Sequence, residues 1–200
     1  MPYSKFTYKS VRSELGIQNK REALFPDIIS IPPSDWLITT LKMSHEYALF
    51  SEKSRSEAIV FPILAEICSK NTHKTSLYSG AILNGDDTKG LNGECDFILS
   101  KGEQDFELDA PLFCMIEAED NDIEKNIPQC IAQMEGARLY NEREGKAFPF
   151  IYGCVTTATE WQFLKLENKT CFIDKTRYYL DKPENILGVL QAIIDIFEDL

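Results

Sequence analysis

The sequence predicts an α/β fold, a mixed central β-sheet flanked by helices, with an αβββαβ core and further helices at both ends. Two observations carry this. Three strand-like segments follow a helical stretch at 51–70, and a long helical pattern over 124–143 separates two apolar strand-like segments, 111–119 and 148–159. The second arrangement is that of a crossover connection between parallel strands. A wholly antiparallel α+β sheet is the alternative.

The elements follow in order. Residues 1–33 are mixed, with a short helix at Lys9–Leu15 and turns at "FPD" and "IPPSD". Ser34 or Asp35 caps a helix marked by Trp36, Leu37, Thr40, Leu41 and Ala48 that runs to about Phe50. Ser51 caps the next, which reaches Lys70; Ile59, Ile63 and Ile67 recur on it at a spacing of four, with Leu64 and Cys68 beside them. Pro62 kinks this helix or limits its first half.

Strands are expected at "TSLYSGAIL" (75–83), "ECDFILS" (94–100) and "PLFCMIEAE" (111–119). The Asp/Asn/Gly-rich "NGDDTKGLNG" joins the first two and lacks the spacing of a calcium loop, so it reads as a hairpin connection. In the helix over 124–143, Ile127, Ile131, Met134 and Arg138 recur with Cys130, Ala137 and Tyr140 nearby. "FPFIYGCVTTAT" (148–159) and "EWQFLKLEN" (160–168) are two further strands, "CFID" adds a third, and an amphipathic helix from Asn185 to Phe197 closes the chain. Trp161, Phe163 and Leu166 read as core residues rather than a base-stacking platform.

Two hundred residues fit one domain. Its parts are an N-terminal helical extension (1–50), a core (51–168) and a C-terminal strand and helix (169–200). No apolar run approaches the roughly 20 residues of a membrane span, and "MPYSKFTYKSVRSELG" lacks the apolar core of a signal peptide. A soluble, cytoplasmic protein with no membrane partner is expected. The six cysteines are scattered with no CxxC pair, and His45 and His73 are not at ligand spacing, so free buried thiols are expected instead of a zinc site. Ser–His and Cys–His triads find no support in two histidines set in polar contexts.

The net charge of −11 is unevenly placed. Residues 1–75 hold ten Lys/Arg and eight Asp/Glu, hence +2; residues 76–200 hold eleven and twenty-four, hence −13. That sign opposes generic nucleic-acid binding, where cations release phosphate counterions. A nucleic-acid substrate therefore calls for metal ions, a protein partner, or a path along the near-neutral N-terminal part.

The chemistry concentrates in "PLFCMIEAEDNDIEKNIPQCIAQ" (111–133), where an apolar strand ends in Glu117 and Glu119, with Asp120 and Asp122 just beyond. Residues i and i+2 of a strand share a face, so Glu117 and Glu119 project together. If the strand carrying Asp96 pairs with this one, three carboxylates meet. Such a cluster raises its own pKa values unless a cation occupies it. Mg²⁺ is the natural occupant, because it takes hard oxygen ligands and retains waters for chemistry.

"LNGECDFIL", "FCMIEAE" and the helix with "PQCIAQM" resemble the core of PD-(D/E)XK nucleases over about residues 51–166. "SEAIVFPIL" and "YGCVTTATEWQFLKL" extend the likeness to a small stand-alone, RecB-like group of that superfamily. The resemblance implies a restriction-endonuclease-like core, with Glu57, Asp96 and Glu117 as metal ligands for Mg²⁺ or Mn²⁺. It implies catalytic roles for Asp96, Glu117 and Glu119, and for Gln129, which matches the site-facing glutamine of the crossover helix. Gln133 lies one turn on and shares that face. Glu119 stands where the superfamily usually has lysine. A carboxylate there ligates metal or accepts a proton from water but does not stabilise developing negative charge, whereas Lys125 offers a relocated ammonium.

Three functions stay open: a Mg²⁺-dependent nuclease acting on DNA, a catalytically inactive binding or regulatory module on the same fold, and a metal-carboxylate hydrolase unrelated to nucleic acids. A homodimer or a protein partner is compatible with each.

Overall fold

A computed structural model describes residues 2–47, 49–119 and 122–200. Ala48 and Asp120, singled out in the sequence, lie outside the described residues. The helices are α1 (Tyr8–Glu14), α2 (Asp35–Ser44), α3 (Glu52–Arg55), α4 (Phe61–Lys70), α5 (Ile123–Arg143) and α6 (Pro183–Glu198). The strands are β1 (Gln18–Glu22), β2 (Thr75–Asp86), β3 (Leu91–Lys101), β4 (Leu112–Ala118), β5 (Phe150–Thr156), β6 (Glu160–Glu167), β7 (Thr170–Asp174) and β8 (Tyr178–Tyr179). They form one open, mixed sheet in the order β1-β7-β6-β5-β4-β3-β2, with β8 added to β6.

The mixed character comes from two parallel pairings. β4 runs parallel to β5, as the α5 crossover requires, and β1 runs parallel to β7. The remaining pairings are antiparallel, so the wholly antiparallel alternative is excluded. Apolar side chains fill both faces. One core joins Leu37, Ile63, Ile67, Leu190 and Phe197 of α2, α4 and α6 to Phe97, Ile116 and Phe163 of the sheet. The other joins Val11 of α1 and Ile127, Ile131 and Met134 of α5 to Ile98, Met115 and Val155. Trp161 and Phe163 are wholly buried in the first core and Leu166 in the second, as expected.

Several boundaries differ from expectation, each for a local reason. The N-terminal segment is not helical throughout: Gln18–Glu22 forms an edge strand whose polar residues leave no apolar alternation to read. The helix expected to reach Phe50 ends at Ser44, where turn bonds from His45 N–H to Lys42 and from Glu46 N–H to Met43 replace the helical ladder. The helix from Ser51 is broken into α3, a π-helical turn at Ser56–Val60, and α4. Pro62, which lacks an N–H, opens α4, and the wider turn before it absorbs the lost bond. β2 and β3 run further toward their hairpin than expected, meeting across Asp87–Lys89, so Asp96 sits in mid-strand, not at a strand start.

All six cysteines are free thiols, five of them buried. Among the described residues, no helix is long and apolar enough to cross a membrane.

Candidate carboxylate site

The site forms where β3 and β4 part. Their recorded pairing ends at Phe97↔Ile116, so Asp96 and Glu117 face one another one step further on. Ala118 N–H, beyond the last ladder pair, donates to Asp96 Oδ2 at 2.8 Å, so a side chain stands in for the backbone partner. On the other side β4 remains tied to β5 through Ala118↔Thr156, and Glu119 N–H donates to Thr156 O at 2.7 Å.

Glu117 is 2% exposed, a carboxylate set in the core layer between β4 and α5. Two amides on successive turns of α5 satisfy it: Gln129 donates to Oε2 and Gln133 to Oε1. These bonds favour the ionised form, yet the carboxyl is held well above its usual range, first by burial and next by the charge of Asp96, with Glu119 adding to it. Asp96 is pushed up to about 6, mainly by burial, against the Ala118 hydrogen bond, with Glu52 and Glu94 adding like charge. Gln133 Oε1 is buried with no hydrogen-bond partner among the described residues, an acceptor left over beside a carboxyl that resists ionisation.

The structure thus brings Asp96, Glu117, Gln129 and Gln133 together and places Glu119 close enough to act on Glu117. Glu57 stands further off. It lines a cavity of about 370 Å³ with Asp96, but its side chain is 68% exposed and pairs with Lys53 at 3.6 Å. Lys125 is exposed on the first turn of α5, its N–H taken by the Asp122 cap. Glu52, in the same cavity wall, is with Glu94 one of the two acids whose charge acts on Asp96. Sequence reasoning passed over it because "SEKSRSE" offers two glutamates five residues apart and only the chain's path decides between them.

The donor set bears on a metal. Among the described residues, no group of three or more His, Cys, Asp or Glu side chains is arranged to hold one. Two hard carboxylates with water completing the shell are what Mg²⁺ commonly takes. Asp96 and Glu117 fit that demand: both are desolvated, and the charge of Asp96 holds the Glu117 pKa up.

A second, more open cavity of about 490 Å³ lies beyond the carboxyl ends of β4 and β5, where parallel strands of an open α/β sheet present ligand sites. Arg55, Arg177, Thr157, Thr159, Glu124 and Glu160 contribute to its wall. No family model matches the chain, and no curated protein sequence matches it.

Proposed function

We propose that the chain is a Mg²⁺-dependent phosphodiesterase acting on DNA, built on a restriction-endonuclease-like core. The observation that carries this reading is the desolvated Asp96–Glu117 pair, on neighbouring strands, with Glu117 aligned by two glutamines of the crossover helix. Asp96 and Glu117 are the residues to hold the ion; Mn²⁺ suits the same oxygens. When bound, the metal polarises a phosphate oxygen and acidifies a water. Gln129 and Gln133 fix the plane of the Glu117 carboxylate, and the Ala118 N–H fixes that of Asp96. A Glu119 carboxylate oxygen accepts the proton of the attacking water, the role left to it in place of an ammonium. Water oxygen then bonds to phosphorus as the bond to the leaving oxygen breaks.

One observation favours a second reading. Both oxygens of Glu117 already accept hydrogen bonds in a wholly buried setting, an arrangement equally suited to a binding or regulatory module that keeps the carboxylate as a structural hub. Calorimetric titration with Mg²⁺ or Mn²⁺ tests the first reading: binding that Asp96→Asn abolishes supports it. Cleavage of single- and double-stranded DNA that Glu117→Gln abolishes completes the support. An inert protein that binds no metal leaves the second reading standing.

A further inference from the structure

The arginine-lined cavity is not used by the carboxylate chemistry, and a second cavity adjoins it. The first, of about 490 Å³, has Arg55, Arg177, Glu124, Glu160 and Thr157 on its wall; the second, of about 430 Å³, has His45, Tyr179, Leu180 and Asp181. Thr159 belongs to both. One side therefore sets two arginines and two hydroxyls against two glutamates, the other sets an aromatic ring and a leucine beside His45 and Asp181, with Thr159 between them.

The shared wall is rigid. Leu180 N–H donates to Thr159 O at 2.9 Å, and β8 pairs with β6 through Glu160↔Tyr179. The β5–β6 turn is closed by Thr157 N–H to Glu160 O at 3.1 Å and by Trp161 Nε1–H to Ala158 O at 3.0 Å. Arg177 is held from two sides, Nη1 on Glu160 at 2.9 Å and Nη2 on Glu124. Those bonds use two of the five guanidinium N–H groups and leave three for a ligand. The glutamates thus aim the fork while reducing its pull on unspecific anions.

We propose that these two cavities together form a one-nucleotide site for single-stranded nucleic acid, with a backbone phosphate at Arg177 and its base against the Tyr179 ring. Tyr179 is 49% exposed, so a base face reaches it only when that face is not already stacked inside a duplex. The proposal rests on the phosphodiesterase reading for its substrate class and narrows it from nucleic acid to an unpaired strand. Thr157, on the wall of the first cavity, directly follows the residue whose carbonyl accepts from Glu119 N–H, so the site adjoins the carboxylates along the chain.

The test is fluorescence anisotropy with the full chain and a labelled oligodeoxythymidine, alone or annealed to its complement, in EDTA so that cleavage plays no part. The unpaired strand binds and the duplex binds more weakly. Tyr179→Ala weakens binding roughly 5- to 100-fold, the range for loss of one stacking partner. Tyr179→Phe keeps wild-type affinity. Arg177→Gln lowers the slope of log affinity against log salt by about 0.7, the share of one phosphate contact on a single strand. Arg177→Lys, which keeps the charge, retains the slope, and circular dichroism confirms that each variant folds. Equal affinity for the duplex, no binding of either form, or binding indifferent to both Tyr179→Ala and Arg177→Gln overturns the proposal. Because metal is absent, a protein that binds in this pattern yet never cleaves refutes the phosphodiesterase alone. One that cleaves while ignoring both substitutions refutes the nucleotide site alone.

Discussion

Gln133, wholly buried on α5, donates its side-chain amide to Oε1 of Glu117 on β4, while its own oxygen finds no partner among the described residues. This leaves an unmatched acceptor beside a carboxyl that burial drives toward its neutral form. Glu117→Gln therefore has a ready solution: the new side-chain oxygen keeps the amide of Gln129, and the new N–H₂ donates to Gln133 after that amide turns over. Glu117→Leu leaves both glutamine amides without an acceptor, at about 1–3 kcal/mol each. In metal-free buffer, thermal denaturation is expected to rank Glu117→Gln at or above the wild type and Glu117→Leu well below it. Equal melting temperatures for the two variants would remove the carboxyl as the hub of this interface.

How much of this was legible in the sequence depends on the range of the contacts involved. The Glu117–Gln129–Gln133 arrangement joins a strand end to the helix that follows it, and the period-two and helical-turn spacings within "EAEDNDIEKNIPQCIAQ" encode it locally. β1 was not legible, because "QNKRE" carries no apolar face and becomes a strand only by pairing with β7, far along the chain. The same holds for Arg177 and Tyr179. Their segment has no periodic signal, and the pairing of Tyr178–Tyr179 with β6 alone brings them to the sheet's end. The role of Glu52 beside Asp96 was missed for a related reason: it comes from packing α3 against β3 around one cavity, and no residue spacing reports it.

Asp96 predicts a pH dependence whose sign follows from its shift. Its folded pKa, about 6, lies above the ordinary 3.8, so the folded chain holds this proton more tightly than the unfolded one. Stability is greatest below the unfolded value, declines as pH rises between the two, and stays reduced above about 6. Asp96→Asn preserves an oxygen for Ala118 N–H and cannot ionise, so the decline shrinks and the variant melts higher than wild type at neutral pH in EDTA. Mg²⁺ is expected to raise the wild-type melting temperature above about pH 6 and to leave the variant unmoved. A magnesium shift that persists in Asp96→Asn would place the ion elsewhere.

The position of α5 over the sheet predicts a packing contrast. A Cβ on Gly85 of β2 would lie 2.5 Å from the Gly136 Cα and 2.7 Å from its carbonyl oxygen, backbone atoms that cannot move aside. A Cβ on Gly153 of β5 would meet the sulfurs of Met134 at 2.6 Å and Cys130 at 2.8 Å, ends of side chains that can rotate. Gly85→Ala is expected to destabilise by about 1–3 kcal/mol or more, as overpacking does, and Gly153→Ala by less. Urea denaturation measures both. The reverse order would mean that α5 slides on β2 without cost.

Glu119→Lys separates the two functional readings and carries its own electrostatic signature. Glu119 adds to the upward shift of Glu117, so exchanging its negative charge for a positive one favours ionisation of Glu117. The pH above which Mg²⁺ raises the melting temperature should therefore fall. That displacement is expected whether or not the protein is an enzyme, and it verifies that residue 119 faces the pair. Cleavage then discriminates. If wild type cuts DNA with Glu119 as proton acceptor, the lysine variant loses that acceptor and with it the activity. If wild type is inert and the variant cuts, the chain is a scaffold one substitution away from catalysis, and the glutamate is what silences it. A wild type that cuts and a variant that cuts equally well would remove Glu119 from the chemistry and leave Asp96 and Glu117 to account for it with water alone.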